Sequence, residues 1–128
     1  MKKNLILFIL GIVVVGAILI FSVRDNQDNQ AKAQAISEFA ACLADEGAKF
    51  YGAFWCSHCK NQKDIFGTAA GELPYIECST ADAQSQTDVC ITNRISAYPT
   101  WEFSDGSRLT GELSFEELAG KTRCQAPA

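Results

Sequence analysis

The chain has 128 residues, with 11 Lys+Arg against 15 Asp+Glu, six cysteines and a single histidine. That length holds one domain. The acidic balance excludes the basic stripe that a nucleic-acid binder needs.

The first stretch is of a different kind from the rest. Met1-Lys2-Lys3-Asn4 precedes Leu5 to Val23, a run of 19 residues without a charge. As a helix it would be ~28 Å long, close to the hydrocarbon thickness of a bilayer. The lysines in front of it mark the cytoplasmic side. The remainder, net −6 once those two lysines are set aside, is expected beyond the cytoplasmic membrane, in a periplasm or a thylakoid-lumen-like space. A cleaved signal peptide is the rival, with small-residue sites at Ala31-Lys32-Ala33 and Ala33-Gln34-Ala35. The apolar run exceeds the usual ~7–15 residues of such a peptide, which favours a single-pass anchor held in lipid by residues 5–23. All six cysteines follow this run, and an even count in a small exported domain fits an oxidising compartment.

The expected organisation is an anchor or signal at 1–23, a linker at 24–35, a domain at 36–124 and a tail at 125–128. Arg24 to Gln34 is polar and lacks periodicity, so it reads as a solvated spacer. Ile36, Phe39, Ala40, Leu43 and Ala44 follow the spacing of an amphipathic helix, and Gly47 is placed to end it. Lys49 to Trp55 is a short, mostly apolar run of good strand formers. It leads into Cys56-Ser57-His58-Cys59, read as the start of a helix reaching to about Ala70. Pro74 to Cys78 reads as a second strand and Gln84 to Arg94 as a helix. Strand, helix and strand with short connections imply parallel pairing. Thr100 to Phe103 alternates, Asp105-Gly106 signals a hairpin turn, and Arg108 to Thr110 returns. Ser114 and Glu117 form a capping box for a last helix that buries Phe115, Leu118 and Ala119. The fold class is α/β: a mixed four-stranded sheet flanked by helices, with one N-terminal transmembrane helix.

The chemistry concentrates in Cys56 and Cys59. A helix start has unpaired N–H groups and the positive end of the dipole, which favour a thiolate. Cys56 is therefore expected to be the exposed, attacking sulfur. Cys59, one turn in, is the shielded one that resolves the mixed disulfide. His58, with Ser57, lies between them and is expected to tune Cys56. A different class of reading makes Cys56, His58 and Cys59 the ligands of a copper- or zinc-carrying module. Three soft ligands without a second Cys-x-x-Cys or another histidine leave that site incomplete.

Trp55-Cys56-x-x-Cys59 on a strand-to-helix junction, followed by Tyr98-Pro99-Thr100, resembles the thioredoxin superfamily. The ordered set of Phe50-Tyr51-Gly52-Ala53-Phe54-Trp55-Cys56, His58-Cys59, Pro74-Tyr75-Ile76-Glu77-Cys78, Cys90 and Tyr98-Pro99-Thr100-Trp101 is similar to something narrower. It looks like the thioredoxin-like domain associated with bacterial vitamin K epoxide reductase homologues, over roughly residues 36 to 124. The resemblance implies a thiol-disulfide oxidoreductase acting on proteins with thiols or disulfides. It implies a quinone-linked vitamin K epoxide reductase homologue in the membrane as electron partner. A disulfide reductase or isomerase fed from the membrane is the alternative. No bound cofactor is expected, since the dithiol is the redox group. The resemblance further implies that Pro99 is cis and faces the dithiol, and that Trp55, Tyr98 and Pro99 line the substrate groove. A histidine at the place of His58 occurs among disulfide oxidases and isomerases, which implies a relatively oxidising couple. One position departs from the pattern. Thioredoxins carry a buried acid six residues before the first cysteine, and here Phe50 stands there. Glu77 and Glu102, near strand ends, are the candidates to replace it.

Cys42, Cys78, Cys90 and Cys124 allow three pairings. A local Cys78–Cys90 bridge is the simplest, and the resemblance also pairs these two. Cys42 with Cys124 would then tie the first helix to the chain end. Both bridges are expected to be structural, with a second redox relay at Cys78/Cys90 as the alternative.

Overall fold

The computed structural model describes residues 2–127, so the expected anchor and tail lose Met1 and Ala128, which lie outside the described residues. The chain divides into two compact units, residues 1–32 and 33–128. In the first, helix α1 (Lys2–Asp45) begins. Its apolar side chains face outward, Phe21 being 77% exposed. By length and composition this helix could cross a membrane. Arg24 to Gln34, expected as a solvated linker, is helical. The stretch has no Gly or Pro, and Arg, Gln, Lys and Ala are good helix formers that need no apolar face to stay helical within a longer helix.

In the second unit, α1 ends as its sequence requires. Gly47 takes φ +79°. Its N–H donates to the Ala44 carbonyl at 3.0 Å, and the Ala48 N–H donates to the Leu43 carbonyl at 3.0 Å. These are the two bonds of a Schellman cap. Strand β1 (Lys49–Gly52) follows, then α2 (Ser57–Asp64), a 3₁₀ segment (Gly67–Glu72), β2 (Tyr75–Glu77), α3 (Asp88–Thr92), β3 (Thr100–Glu102), β4 (Arg108–Thr110) and α4 (Phe115–Lys121). The sheet order is β2-β1-β3-β4. β1 pairs parallel with β2 and antiparallel with β3, and β3 pairs antiparallel with β4.

Three boundaries differ from the sequence reading. β1 stops at Gly52, and Phe54 and Trp55 lie in the turn beyond it, more than half exposed. The helix carrying Cys59 stops at Asp64, because Gly67 takes φ +55° and the chain tightens into the 3₁₀ segment. Residues 84–87 are not helical: Gln86 forms a bridge with Ser79, and α3 starts only after Thr87. The Thr87 N–H is already bonded to the Cys78 carbonyl at 2.9 Å, which holds this segment extended. The hairpin and the final cap form where expected. Gly106 (φ +80°) turns β3 into β4, and Ser114 and Glu117 cap α4 reciprocally.

The period of two in β1 sorts the core. Phe50 faces the main cluster with Phe39, Leu43, Phe66, Trp101 and Leu118. It stacks on Trp101 with ring centroids 4.7 Å apart. Tyr51 faces the other way, onto Cys78, Cys90 and Ile95. Gly52, next in line, ends this inner strand, and the chain leaves the sheet there for the turn before α2.

Candidate active site

Cys56 is the N-cap of α2. Its backbone is extended (φ −78°, ψ 116°), and its Sγ accepts the Cys59 N–H at 3.3 Å. The sulfur therefore occupies the place where a Ser or Asp oxygen would satisfy a helix's free N–H. Cys59 lies one turn into the helix. Both carry free thiols. Cys56 is 9% exposed and Cys59 1%. Cys56 is thus less exposed than its place at a helix start suggested, because the chain before β3 closes over it. The Cys56 thiol donates to the Tyr98 carbonyl at 3.8 Å, from the residue before Pro99. The Tyr98–Pro99 peptide bond is cis, and Pro99 is fully buried.

Burial, followed by the hydrogen bond with Cys56, pushes the Cys59 thiol up to about 12. Gly52 is what lets Cys59 pack there. A Cβ on Gly52 would sit 2.9 Å from Cys59 Sγ and 2.8 Å from Tyr75 Cε2. No side chain fits in that gap.

The other predicted residues separate into two groups. Trp55 is drawn to the site. Its Nε1 donates to Ser79 Oγ at 2.8 Å, and its ring meets the Tyr98 ring edge-on at 6.0 Å. Tyr98 is held from the far side by Gln86 Nε2, which donates to its hydroxyl at 2.6 Å. Trp55 and Tyr98, with Ser79 and the 83–86 loop, line a cavity of about 170 Å³ floored by Cys78. His58 turns elsewhere. Its Nδ1 donates to Glu112 Oε1 at 2.6 Å, and Asn61 Nδ2 donates to the same oxygen at 3.0 Å. These bonds, His58 first, hold the Glu112 carboxyl below the usual carboxylate range. Among the described residues, no group of three or more His, Cys, Asp and Glu is arranged to hold a metal ion.

Of the two acids considered in place of a buried one at Phe50, Glu102 is ruled out by register. It pairs with Lys49 at the far end of β1 and binds Lys49 and Arg108. Glu77 pairs with Gly52 at the near end. It accepts the Phe54 and Ser79 N–H groups and the Tyr75 hydroxyl, at 3.2, 2.9 and 2.8 Å. Glu77 thereby fixes the turn that presents Cys56.

Glu112, Gln86 and Gln62 were not singled out in the sequence. Each is a polar residue brought in from outside the Cys-x-x-Cys segment or hidden on the inner face of α2, and no local spacing marks such residues. The remaining cysteines form Cys78–Cys90 and Cys42–Cys124 disulfides.

This arrangement has counterparts. The family model described as Thioredoxin matches residues 25–122, which is most of the chain. The chain belongs to the thioredoxin family. The mixed sheet flanked by helices is the thioredoxin fold, preceded by one long apolar helix that is a candidate membrane span. The Thiol-disulfide oxidoreductase LTO1 of Arabidopsis thaliana is 44% identical over 94 residues, covering 67% of this chain and 25% of its own length. The chain therefore spans about a quarter of the length of this curated relative.

Proposed function

We propose that this protein is a membrane-anchored thiol-disulfide oxidoreductase in which Cys56 attacks a substrate disulfide and Cys59 resolves the mixed disulfide. The observation that carries this reading is the placement of two free thiols of unequal access on one helical turn. Cys56 Sγ is the cap atom of α2 and faces the Tyr98 carbonyl, while Cys59 is enclosed. An outer thiol can reach a substrate sulfur, and an inner one within the same turn can displace it. A substrate chain would lie along Trp55, Tyr98 and Pro99. His58 and Ser57, in the first turn of α2, tune the pair, with Glu112 orienting the His58 ring. The relative's name supports the reaction class.

Cys78–Cys90 and Cys42–Cys124 act as structural bridges. The domain works outside the cytoplasmic membrane, tethered by the apolar helix. Its electrons pass to or from a vitamin K epoxide reductase homologue in the membrane, the partner that the resemblance of the Phe50–Cys59, Pro74–Cys78 and Tyr98–Trp101 segments implies.

The test is trapping. Cys59→Ser in the full chain should accumulate mixed disulfides with substrate proteins, and Cys56→Ser should form none. Normal product release by the Cys59→Ser protein would remove Cys59 from the resolving role. The reduction potential of the Cys56–Cys59 couple, measured against glutathione, gives the direction of electron flow. Loss of transfer on deleting residues 5–23, with the dithiol still reactive, would place the electron partner at the membrane.

A further inference from the structure

Cys59 has to become a thiolate in a place that resists charge. It is 1% exposed, and Phe50 on the adjoining strand offers no acid. The groups that face it can be named element by element. Cys56 caps its helix, and the loop before β3 contributes only the Tyr98 carbonyl, turned to Cys56. β1 contributes the bare Gly52, and the Ala53 main chain just beyond it offers a hydrogen bond that favours the Cys59 thiolate. β2 contributes Tyr75, whose hydroxyl is anchored on Glu77. On α2 itself the only cation on its side is Lys63, four residues after Cys59 and so on the same face of the helix.

Lys63 is held in an unusual way. Among the described residues it forms no ion pair, whereas its neighbour Lys60 pairs with Asp64 at 2.6 Å. The half-buried Lys63 instead lays its Nζ 3.2 Å from the centroid of the Tyr75 ring. An ammonium over an aromatic face is attracted to it, the more so when partly desolvated. The same ring and the Cys59 sulfur both crowd the open face of Gly52. Tyr75 Cε2 and Cys59 Sγ both lie within 3 Å of the point where a Cβ on Gly52 would stand. The ring thus carries the ammonium on its face and shares the space over Gly52 with the Cys59 thiol, while Glu77 holds its hydroxyl.

We propose that Lys63, clamped on Tyr75, is a positioning residue for disulfide exchange that supplies the positive charge against which buried Cys59 ionises. The inference rests on the exchange reading of Cys56 and Cys59 and adds to it the residue that sets when Cys59 acts. In the step concerned, the Cys59 thiol gives its proton to water. The thiolate attacks Cys56 Sγ, and the Cys56–Cys59 bond forms as the bond from Cys56 to the substrate sulfur breaks. The substrate sulfur leaves with the electron pair and takes a proton from water, so the dithiol is oxidised and the substrate disulfide reduced. In reverse, Cys59 leaves as a thiolate, and the same charge favours it. The Ala53 main chain and then Lys63 act on Cys59 in the direction opposite to burial and to Cys56, and Lys63 alone of the two brings a full charge.

The experiment uses the full chain with Cys56→Ser, in which the four other cysteines are in disulfides and Cys59 alone can be alkylated. Neutral iodoacetamide labelling of Cys59 is followed from pH 7 to 11. Adding Lys63→Gln should slow labelling about three- to tenfold at pH 9 and displace the profile to higher pH, since an opposite charge removed from a thiolate's surroundings costs up to a unit or so. Lys63→Arg should restore the original profile. Lys63→Met, which keeps the packing of the stem, should behave as Lys63→Gln and serves if the glutamine variant folds poorly. Profiles of the Lys63→Gln and Lys63→Met proteins that superimpose on that of the protein retaining Lys63, with unchanged melting, would overturn the proposal. The profile is read whether or not Cys56 exchanges disulfides. Failure of the exchange reading shows separately, as absence of trapped mixed disulfides in the Cys59→Ser protein.

Discussion

Gln62 and Leu113 are joined by a pair of hydrogen bonds, side chain to main chain. The Leu113 N–H donates to Gln62 Oε1 at 2.7 Å, and Gln62 Nε2 donates to the Leu113 carbonyl at 3.0 Å. Gln62 is 1% exposed, and its Oε1 also accepts the Trp101 Nε1–H at 3.3 Å. A buried glutamine amide thus fastens the inner face of α2 to the segment after β4. The same link brings Glu112, next to Leu113, within reach of His58 and Asn61 on the outer face of that helix.

Gln62→Leu should therefore be costly although it is apolar and of similar size. It would leave the Leu113 N–H and carbonyl and the Trp101 Nε1–H without partners in the core. Each such group costs about 1–3 kcal/mol, so a loss of about 2–4 kcal/mol is expected after local relaxation. Chemical denaturation of the two proteins would show it as a lower midpoint. Asn61→Leu, at an exposed position on the same turn, should change stability by less than about 1 kcal/mol.

Gly52→Ala should disturb the site from beneath. The new methyl would meet Tyr75 Cε2 at 2.8 Å and Cys59 Sγ at 2.9 Å. One of the two has to move, and overpacking of this kind costs about 1–3 kcal/mol. Displacement of Cys59 should also raise its alkylation rate relative to the unsubstituted protein. An unchanged rate together with unchanged stability would mean that the gap over Gly52 is not filled as described.

The reduced protein should lose stability in alkali. The folded-state thiol of Cys59 is pushed up to about 12, from an ordinary value of 9.0. A group raised in this way contributes its full stabilisation below the unfolded value. Above pH 9 the unfolded chain sheds a proton that the folded chain keeps, so stability falls as pH rises towards 12. The slope is at most about 1.4 kcal/mol per pH unit for one group. Denaturation of the reduced protein and of Cys59→Ala between pH 8 and 11 should diverge with this sign. Parallel curves would show that Cys59 does not carry the effect.

The Cys56–Cys59 pair, once oxidised, should open at a different potential from the Cys78–Cys90 and Cys42–Cys124 bridges. Cys78 and Cys90 are fully buried and Cys124 is nearly so, so reduction there exposes core without gaining a stabilised thiolate. In a graded glutathione buffer the first two alkyl groups should appear on the peptide holding Cys56 and Cys59, read by mass spectrometry. Labelling of Cys78 and Cys90 at the same potential would make them a second redox pair. Removing Cys42–Cys124, whose members are 82 residues apart, should cost more than removing Cys78–Cys90, 12 apart. Loop entropy gives about 4–5 against about 3 kcal/mol.

The sequence by itself determined the local events, because each is written within a few adjacent residues. Gly47 ends α1, Asp105-Gly106 turns the hairpin, Ser114 and Glu117 cap α4, and the strand-turn-helix around Cys56 sets a sulfur at a helix start. The apolar run from Leu5 to Val23 is legible for the same reason. Boundaries that depend on competing bonds were not. Residues 84–87 have a helical look, yet the Ser79–Gln86 bridge and the Thr87–Cys78 bond hold them extended. Arg24 to Gln34 looks like a spacer, yet nothing in it interrupts a helix that enters from one side. The surroundings of the dithiol were decided only by tertiary structure. Sheet register sends Glu102 to the far end of β1 and Glu77 to the near one. Chain crossing sets Tyr98 over Cys56, Glu112 beside His58, and the Tyr75 ring under Lys63 and over Gly52. Such contacts join residues many positions apart, and their energy comes from packing and burial that no local pattern records.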